Sequence, residues 1–121
     1  MSNDTLAAVE LNIKQAKEVV AMASALERLQ ANRDFKLVVT DGYFQKEAIR
    51  LVHLKADDKM QEPKRQDAII AQIDAIGRLH AYFTTVYQLA SMAEKAIEAD
   101  EATIEEIARE ELEENERGEL A

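Results

Sequence analysis

The stretch PKRQDAIIAQIDAIGRLHAYFTTVYQLASMAEKAIEADEATIEEIAREELEENE, residues 63–116, decides the fold. Its apolar residues recur three and four positions apart, the spacing that keeps side chains on one face of an α-helix. Pro63 suits a first helical turn, where its missing N–H group is not needed, and no proline follows it. The sequence therefore predicts one long helix from Pro63 to about Glu116.

The same spacing defines a heptad seam along this helix. Position a is taken by Ile69, Ile76, Phe83, Ala90, Ile97 and Ile104, and position d by Leu79, Val86, Ala93 and Ile107. Gln72 and Asp100 are polar residues at position d. At about 1.5 Å per residue, a helix of about fifty residues is roughly 75 Å long. We expect a single short chain to leave part of that seam uncovered, so that the far end projects or pairs with another chain.

Two local features add to this prediction. Between Leu79 and Leu89 the helix is apolar on more than one side, which is typical of burial on several faces and predicts the core of the protein there. A series of small residues follows, which either admits a close neighbouring helix or reflects helix propensity alone. The series consists of Ala90, Ala93, Ala96 and Ala99.

Composition favours an all-α protein. The 121 residues include three glycines and one proline, and 32% of them are charged. The absence of cysteine excludes disulfides, thiolate metal sites and thiol nucleophiles. Residues 1–5 are polar and no long apolar run exists, so we expect neither a signal peptide nor a membrane span, and a cytoplasmic location.

The net charge of −9 is confined to one end of the chain. Residues 1–93 carry 12 acidic and 12 basic side chains, whereas residues 94–121 carry 12 acidic and 3 basic ones. We therefore expect a helical body, residues 1–97, and an acidic segment, residues 98–121, which extends the helix or frays. Phosphates would repel this segment, so nucleic acid is not expected as its partner. The expected partner is instead a basic protein surface. The candidate contacts are Glu105, Glu106, Glu110, Glu111, Glu113 and Glu114.

A second amphipathic helix is predicted near the N-terminus, from about residue 5 to 31. Its apolar stripe consists of Leu6, Val9, Ile13, Ala16, Val20 and Ala23, extended by Leu26 and Leu29. This stripe resembles the seam of the long helix. Pairing of the two helices, as a hairpin or bundle with coiled-coil character, is the simplest way to bury both.

The middle of the chain allows two interpretations. Asp41-Gly42 between apolar residues is a hairpin signal, with residues 36–40 as a strand. We favour a short helix at residues 33–40, started by Asn32 and ended by Gly42 as a left-handed cap, because an isolated hairpin is only marginally stable. A further helix, residues 43–55, would then bury Phe44, Ala48, Leu51, Val52 and Ile49.

Catalytic and cofactor motifs are lacking. Neither histidine is expected to be a general base or metal ligand: His80 has Ile76 and Thr84 at the i±4 positions, and Asp57, four residues after His53, is expected to lie past the end of its helix. The chain contains no Glu-x-x-His pair, EF-hand loop, P-loop or G-x-G-x-x-G pattern. We expect no enzyme activity, no cofactor and no metal ion. Lys59, Lys64 and Arg65 form a small basic spot that could meet an acidic segment of another subunit.

A set of short stretches resembles small helical proteins encoded by tailed bacteriophages, a family without an assigned activity. The stretches are Leu-Glu-Arg-Leu (26–29), Asp-Phe-Lys (34–36), Gly-Tyr-Phe (42–44), Glu-Ala-Ile-Arg-Leu-Val-His-Leu (47–54), Ala-Asp-Asp-Lys-Met-Gln (56–61) and Gln-Ile-Asp-Ala-Ile-Gly (72–77). The span that contains them, residues 26–77, is a little under half of the chain. The resemblance implies a phage setting, either in virion assembly or in interference with a host protein, and hence a place in the host cytoplasm or the virion.

Three hypotheses for function follow. The first is a non-enzymatic assembly or scaffold-like protein that self-associates through the seam. Its interface would be Ile76, Leu79, Phe83, Val86, Ala90, Ala93, Ile97, Ile104 and Ile107. The second is an inhibitor or adaptor that docks its acidic segment on a basic host surface. The third is a small-molecule or nucleotide binder with a pocket near Tyr43, Phe44, His53, Tyr82 and Tyr87.

Overall fold

A computed structural model describes residues 3–120, with the side-chain surroundings of residues 3–119, and it is all-α. The helices are α1 (Asn3–Ala31), α2 (Arg33–Phe35), a π-helix (Lys36–Glu47), α3 (Ala48–Ala56), a 3-10 turn (Asp58–Met60) and α4 (Pro63–Leu120). The predicted long helix is confirmed, and it runs unbroken through Gly77, Asp100 and Gly118. None of the described helices is long and apolar enough to cross a membrane.

The chain forms two compact units. Unit 1 contains the described residues up to Ala23 and from Gln88 onward, and unit 2 contains Ser24–Tyr87. In unit 1 the long helix packs against the N-terminal helix, as predicted. The buried residues there are Ile13 and Ala23 of α1 and Ala90, Ala93 and Ile107 of α4.

The core of unit 2 is built on Leu51, Ile69 and Ile76, with Leu51 only 1% exposed. Tyr43, Phe44, Ala48, Leu54, Met60 and Ile73 pack around these three residues. The prediction of a core at residues 79–89 is wrong in part, since Val86 is buried but Tyr82 and Leu89 are about half exposed. Phe83 instead joins an aromatic group, with its ring centroid 5.7 Å from that of Phe44 and 6.2 Å from that of Phe35.

Polar side chains fix the ends of the middle helices. Asn32 caps α2 as predicted, because its side-chain oxygen accepts a hydrogen bond from the N–H of Phe35 at 3.0 Å. Asp57 ends α3 and accepts from the N–H of Lys59 at 2.8 Å. Gln66 of α4 donates its amide to the carbonyl oxygens of Lys55 and Met60, which ties α4 to the connector before it.

The prediction of a helix end at Gly42 is wrong. No described glycine has a positive φ, and the chain continues through Gly42 as part of the π-helix. The alternative hairpin is wrong as well, because residues 3–120 contain no strand. Of the residues that the helix at 43–55 was predicted to bury, Leu51 is buried and Phe44 and Ala48 are half-buried, but Ile49 and Val52 are 58% and 60% exposed. Leu51 packs against Ile69 and Ile76 of α4, and the two exposed residues lie on other sides of α3.

Candidate interaction surfaces

The predicted self-association seam is covered within the chain. In unit 2, Ile76 and Val86 are buried and Leu79 and Phe83 are half-buried. In unit 1 the buried seam residues are Ala90, Ala93 and Ile107, with Ile97 and Ile104 half-buried. The premise that one chain leaves this seam uncovered therefore does not hold, because α1 packs against α4 in unit 1 and the residues around Leu51 pack against it in unit 2.

The apolar seam ends at Ile107, within the acidic segment. After Ile107, the next a and d positions are Glu111 and Glu114, and both are exposed. The other four candidate glutamates, at positions 105, 106, 110 and 113, are exposed too. All six therefore lie on a continuous helical surface that stays open to solvent.

Within residues 3–120, these carboxylates have no cationic partner. Ion pairs among residues 3–120 join Glu47 to Arg50 and Glu62 to Arg65, and neither pair involves the acidic segment. Arg117 donates to the backbone carbonyl of Glu113 at 3.4 Å rather than to a carboxylate. Since like charges at helical spacing repel one another, binding of a cationic surface would relieve a repulsion that the isolated chain keeps.

Large apolar side chains remain on the outside of both units. Met22, Leu89 and Met92 in unit 1 are 56%, 49% and 66% exposed. Leu89 and Met92 fall at heptad positions g and c of α4, beside the buried seam rather than in it. Leu29, predicted as part of the buried stripe of α1, is 48% exposed in unit 2, and that prediction is wrong.

The π-helix is the least ordinary element of the chain. Such helices are rare, usually last a single turn, and are frequent at functional sites. Along it and just after it, Val39, Tyr43 and Glu47 are half-buried and Leu51 is buried, and a second row, Thr40, Phe44 and Ala48, is half-buried as well. Residues four apart also share a face of an α-helix, so this spacing in the sequence does not distinguish the two kinds of helix.

A cleft of about 270 Å³ opens between the π-helix, α3 and α4 in unit 2. Its lining residues are Tyr43, Glu47, Leu51, Gln72, Ala75 and Ile76. Gln72, the polar exception in the seam, is thus explained by its place at this cleft. Of the five residues predicted to form a ligand pocket, Tyr43 lines the cleft, whereas His53 is exposed and Tyr87 donates its hydroxyl to Gln30 at 2.5 Å.

The remaining polar candidates have structural surroundings. His80 packs edge-on against Phe44, with ring centroids 5.6 Å apart. Arg65 of the predicted basic spot donates to the carbonyl oxygen of Lys59 at 3.1 Å and so helps to hold the connector. No group of three or more carboxylate or histidine side chains within residues 3–120 is placed to hold a metal ion.

Comparison of the chain with protein-family models, with curated proteins and with solved structures finds no match. Function is therefore inferred from three features of the molecule: the exposed acidic segment, the exposed apolar side chains and the Tyr43 cleft.

Proposed function

We propose that this chain acts by binding other proteins, without catalysis, and that its acidic segment docks on a basic protein surface. The observation that carries the proposal is the set of six exposed glutamates on α4 that lack any ion pair within the described chain. The resemblance to tailed-phage proteins gives the setting: an adaptor or inhibitor directed at a host protein, or a component of virion assembly.

Charge complementarity favours a partner other than a second copy of the chain. By sequence, the unit 1 ranges hold 15 acidic and 5 basic side chains, whereas the unit 2 range holds 9 acidic and 10 basic ones. Unit 2 thus offers almost no excess positive charge to a neighbouring acidic segment. Two copies that meet through these segments would also repel each other, so the complementary surface belongs to a different, basic molecule.

Neutralising the acidic segment should abolish partner capture. We expect a variant with all six glutamates changed to glutamine to lose the proteins that the unaltered chain retains from a host extract. The same proteins should dissociate from the unaltered chain when salt is raised, because exposed charge pairs are screened beyond about 10 Å at 0.1 M salt. Affinity purification with quantitative mass spectrometry measures both effects.

A matched control distinguishes the effect of removing charge from the acidic segment from the effect of changing the net charge of the protein. A second variant carries six amide substitutions in the body, at Asp4, Glu10, Glu18, Glu27, Asp34 and Asp41, and has the same net charge as the first. It should keep the partners. Equal recovery by the two variants, whether high or low, would contradict a role for the acidic segment.

Self-association is the second candidate function, in a scaffold-like role during virion assembly. With the seam covered, the observation that favours it is the outward exposure of Met22, Leu89 and Met92 in unit 1. Leu89 and Met92 are three residues apart on α4 and therefore lie on one side of that helix, which we call the outer face. Exposed apolar residues that lie together in this way commonly mark protein contacts. Two copies would pack through their outer faces, and the seam within each copy would stay covered.

Native mass spectrometry at micromolar concentration tests this candidate directly. We expect a mass above 13.6 kDa for the unaltered chain. A charge at the outer face, Met92→Glu, should return the species to one chain, whereas Ser91→Glu, at the adjacent exposed position, should not. A single-chain mass for the unaltered protein rules out self-association under these conditions.

A further inference from the structure

We propose that the Tyr43 cleft binds an arginine side chain of the protein partner. The inference rests on the proposed function for the basic character of that partner, but the site belongs to unit 2, whereas the glutamates of the acidic segment belong to unit 1. Three independent features are found at this cleft. The π-helix forms one wall, Gln72 is a polar residue at a d position of the seam, and several hydrogen-bond acceptors at the rim are unused.

The floor of the cleft is apolar and fixed. Leu51 and Ile76 are buried at 1% and 7% exposure, and both belong to the core of unit 2. A floor of this kind suits the methylene stem of a long side chain, which gains by leaving water while its charged end stays at the polar rim. The cleft volume of about 270 Å³ admits a single side chain rather than a helix.

The rim supplies acceptors. Glu47 uses only Oε1 in its pair with Arg50, at 2.5 Å to an Nη atom and 2.7 Å to Nε, which leaves Oε2 free. Gln72 donates its amide N–H to the carbonyl oxygen of Ala68 at 3.3 Å, so its side-chain oxygen remains available. The hydroxyl of Tyr43 has no hydrogen-bond partner among residues 3–120. An acceptor-rich rim with one carboxylate selects a group that is cationic and carries several N–H donors.

Arginine fits these requirements better than lysine does. Its planar guanidinium presents five N–H donors, matches carboxylate geometry and also packs against aromatic rings, and Tyr43 provides such a ring at the rim. Arg50 acts as a competitor in the free protein, because it holds the carboxylate that the incoming guanidinium would share. The cleft therefore predicts opposite effects for removing Glu47 and for removing Arg50.

The test uses N-acetyl-arginine amide as the probe on the full chain labelled with ¹⁵N. We expect millimolar binding, as is usual for so small a ligand, with the largest shifts at the amides of Glu47 and Gln72 and at the side-chain amide of Gln72. Glu47→Gln should weaken the probe about fivefold, since a charge-assisted hydrogen bond is lost from a partly exposed site. Arg50→Gln should instead tighten it about twofold, because the internal cation no longer competes.

The direction in which each substitution changes the affinity for the probe decides the outcome. Tightening by Arg50→Gln together with weakening by Glu47→Gln and Gln72→Leu supports the cleft. Shifts spread over other surfaces, weakening by Arg50→Gln, or equal binding of N-acetyl-citrulline amide, the neutral isostere, would overturn it. The probe needs no partner, so failure here with intact partner capture by the acidic segment rejects only the cleft. Success here with failed capture rejects only the acidic docking site.

Discussion

Replacing Leu51 with alanine should lower the free energy of unfolding by about 2–5 kcal/mol, the usual cost of such a truncation in a close-packed core. Leu51 is 1% exposed and packs with Ile69 and Ile76 of α4, so its loss removes buried apolar contacts between α3 and α4. The cavity left behind would adjoin Tyr43 and Phe44, whose positions depend on the π-helix. Urea unfolding followed by circular dichroism measures the change.

Leu112→Ala is the control for this substitution. It deletes the same atoms from a side chain that is 59% exposed on the acidic segment, and surface changes of this kind are usually within about 0.5 kcal/mol. A similar loss for the two variants would mean that Leu51 is not the centre of the core. A loss at Leu51 below about 1 kcal/mol would mean the same, since a site this buried cannot collapse without cost.

The sequence predicted the parts of the fold that follow from strong local signals. The three-four spacing gave α4 from Pro63 and α1 from near residue 5, and both are single helices. Asn32 was identified as a cap from its residue type, since a short side-chain oxygen can accept from the open N–H groups of a first turn. These features depend on neighbours within a few positions, which a sequence displays directly.

Burial of the seam could not be predicted in the same way. The heptad pattern shows that a face of α4 must be covered, but it does not say whether α1 or a second chain covers it. That choice depends on which elements of the chain pack along α4. Because α1 in unit 1, and the π-helix and α3 in unit 2, supply the partner faces, the apolar surface available for self-association shifts to residues such as Met92, at positions that the seam does not use.

The middle of the chain was misjudged because glycine has two uses in helices. Gly42 after an apolar run suggested a left-handed cap, which needs a residue without a Cβ atom. In the structure the lack of a Cβ atom matters for a different reason, since the backbone carbonyl oxygen of Leu37 lies only 3.0 Å from where that atom would be. The Tyr43 cleft was missed for a different reason. Tyr43, Glu47 and Leu51 are four residues apart and would share a face of any helix, but the sequence does not show that Gln72 and Ile76 of α4 lie opposite them.

Gly42 and Gly77 should therefore respond in opposite directions to the same substitution. A Cβ atom at Gly42 would lie 3.0 Å from the carbonyl oxygen of Leu37, which is backbone and cannot move aside cheaply, whereas one at Gly77 meets nothing within 4 Å. Alanine is favoured over glycine in a helix interior by about 1 kcal/mol, so Gly77→Ala should stabilise the protein by about that amount. At Gly42 the crowding, about 1–3 kcal/mol for an overpacked site, outweighs this gain, so Gly42→Ala should destabilise it.

Urea unfolding of the two variants measures the difference, for which we expect about 2 kcal/mol in favour of Gly77→Ala. The π-helix is what makes the two glycines different, because its wide turn brings the carbonyl of residue 37 against position 42, five residues later. If this segment were an ordinary α-helix, the higher helix propensity of alanine would stabilise the protein at position 42 as much as at position 77. Equal stabilisation by both substitutions would therefore reject the π-helix assigned to residues 36–47.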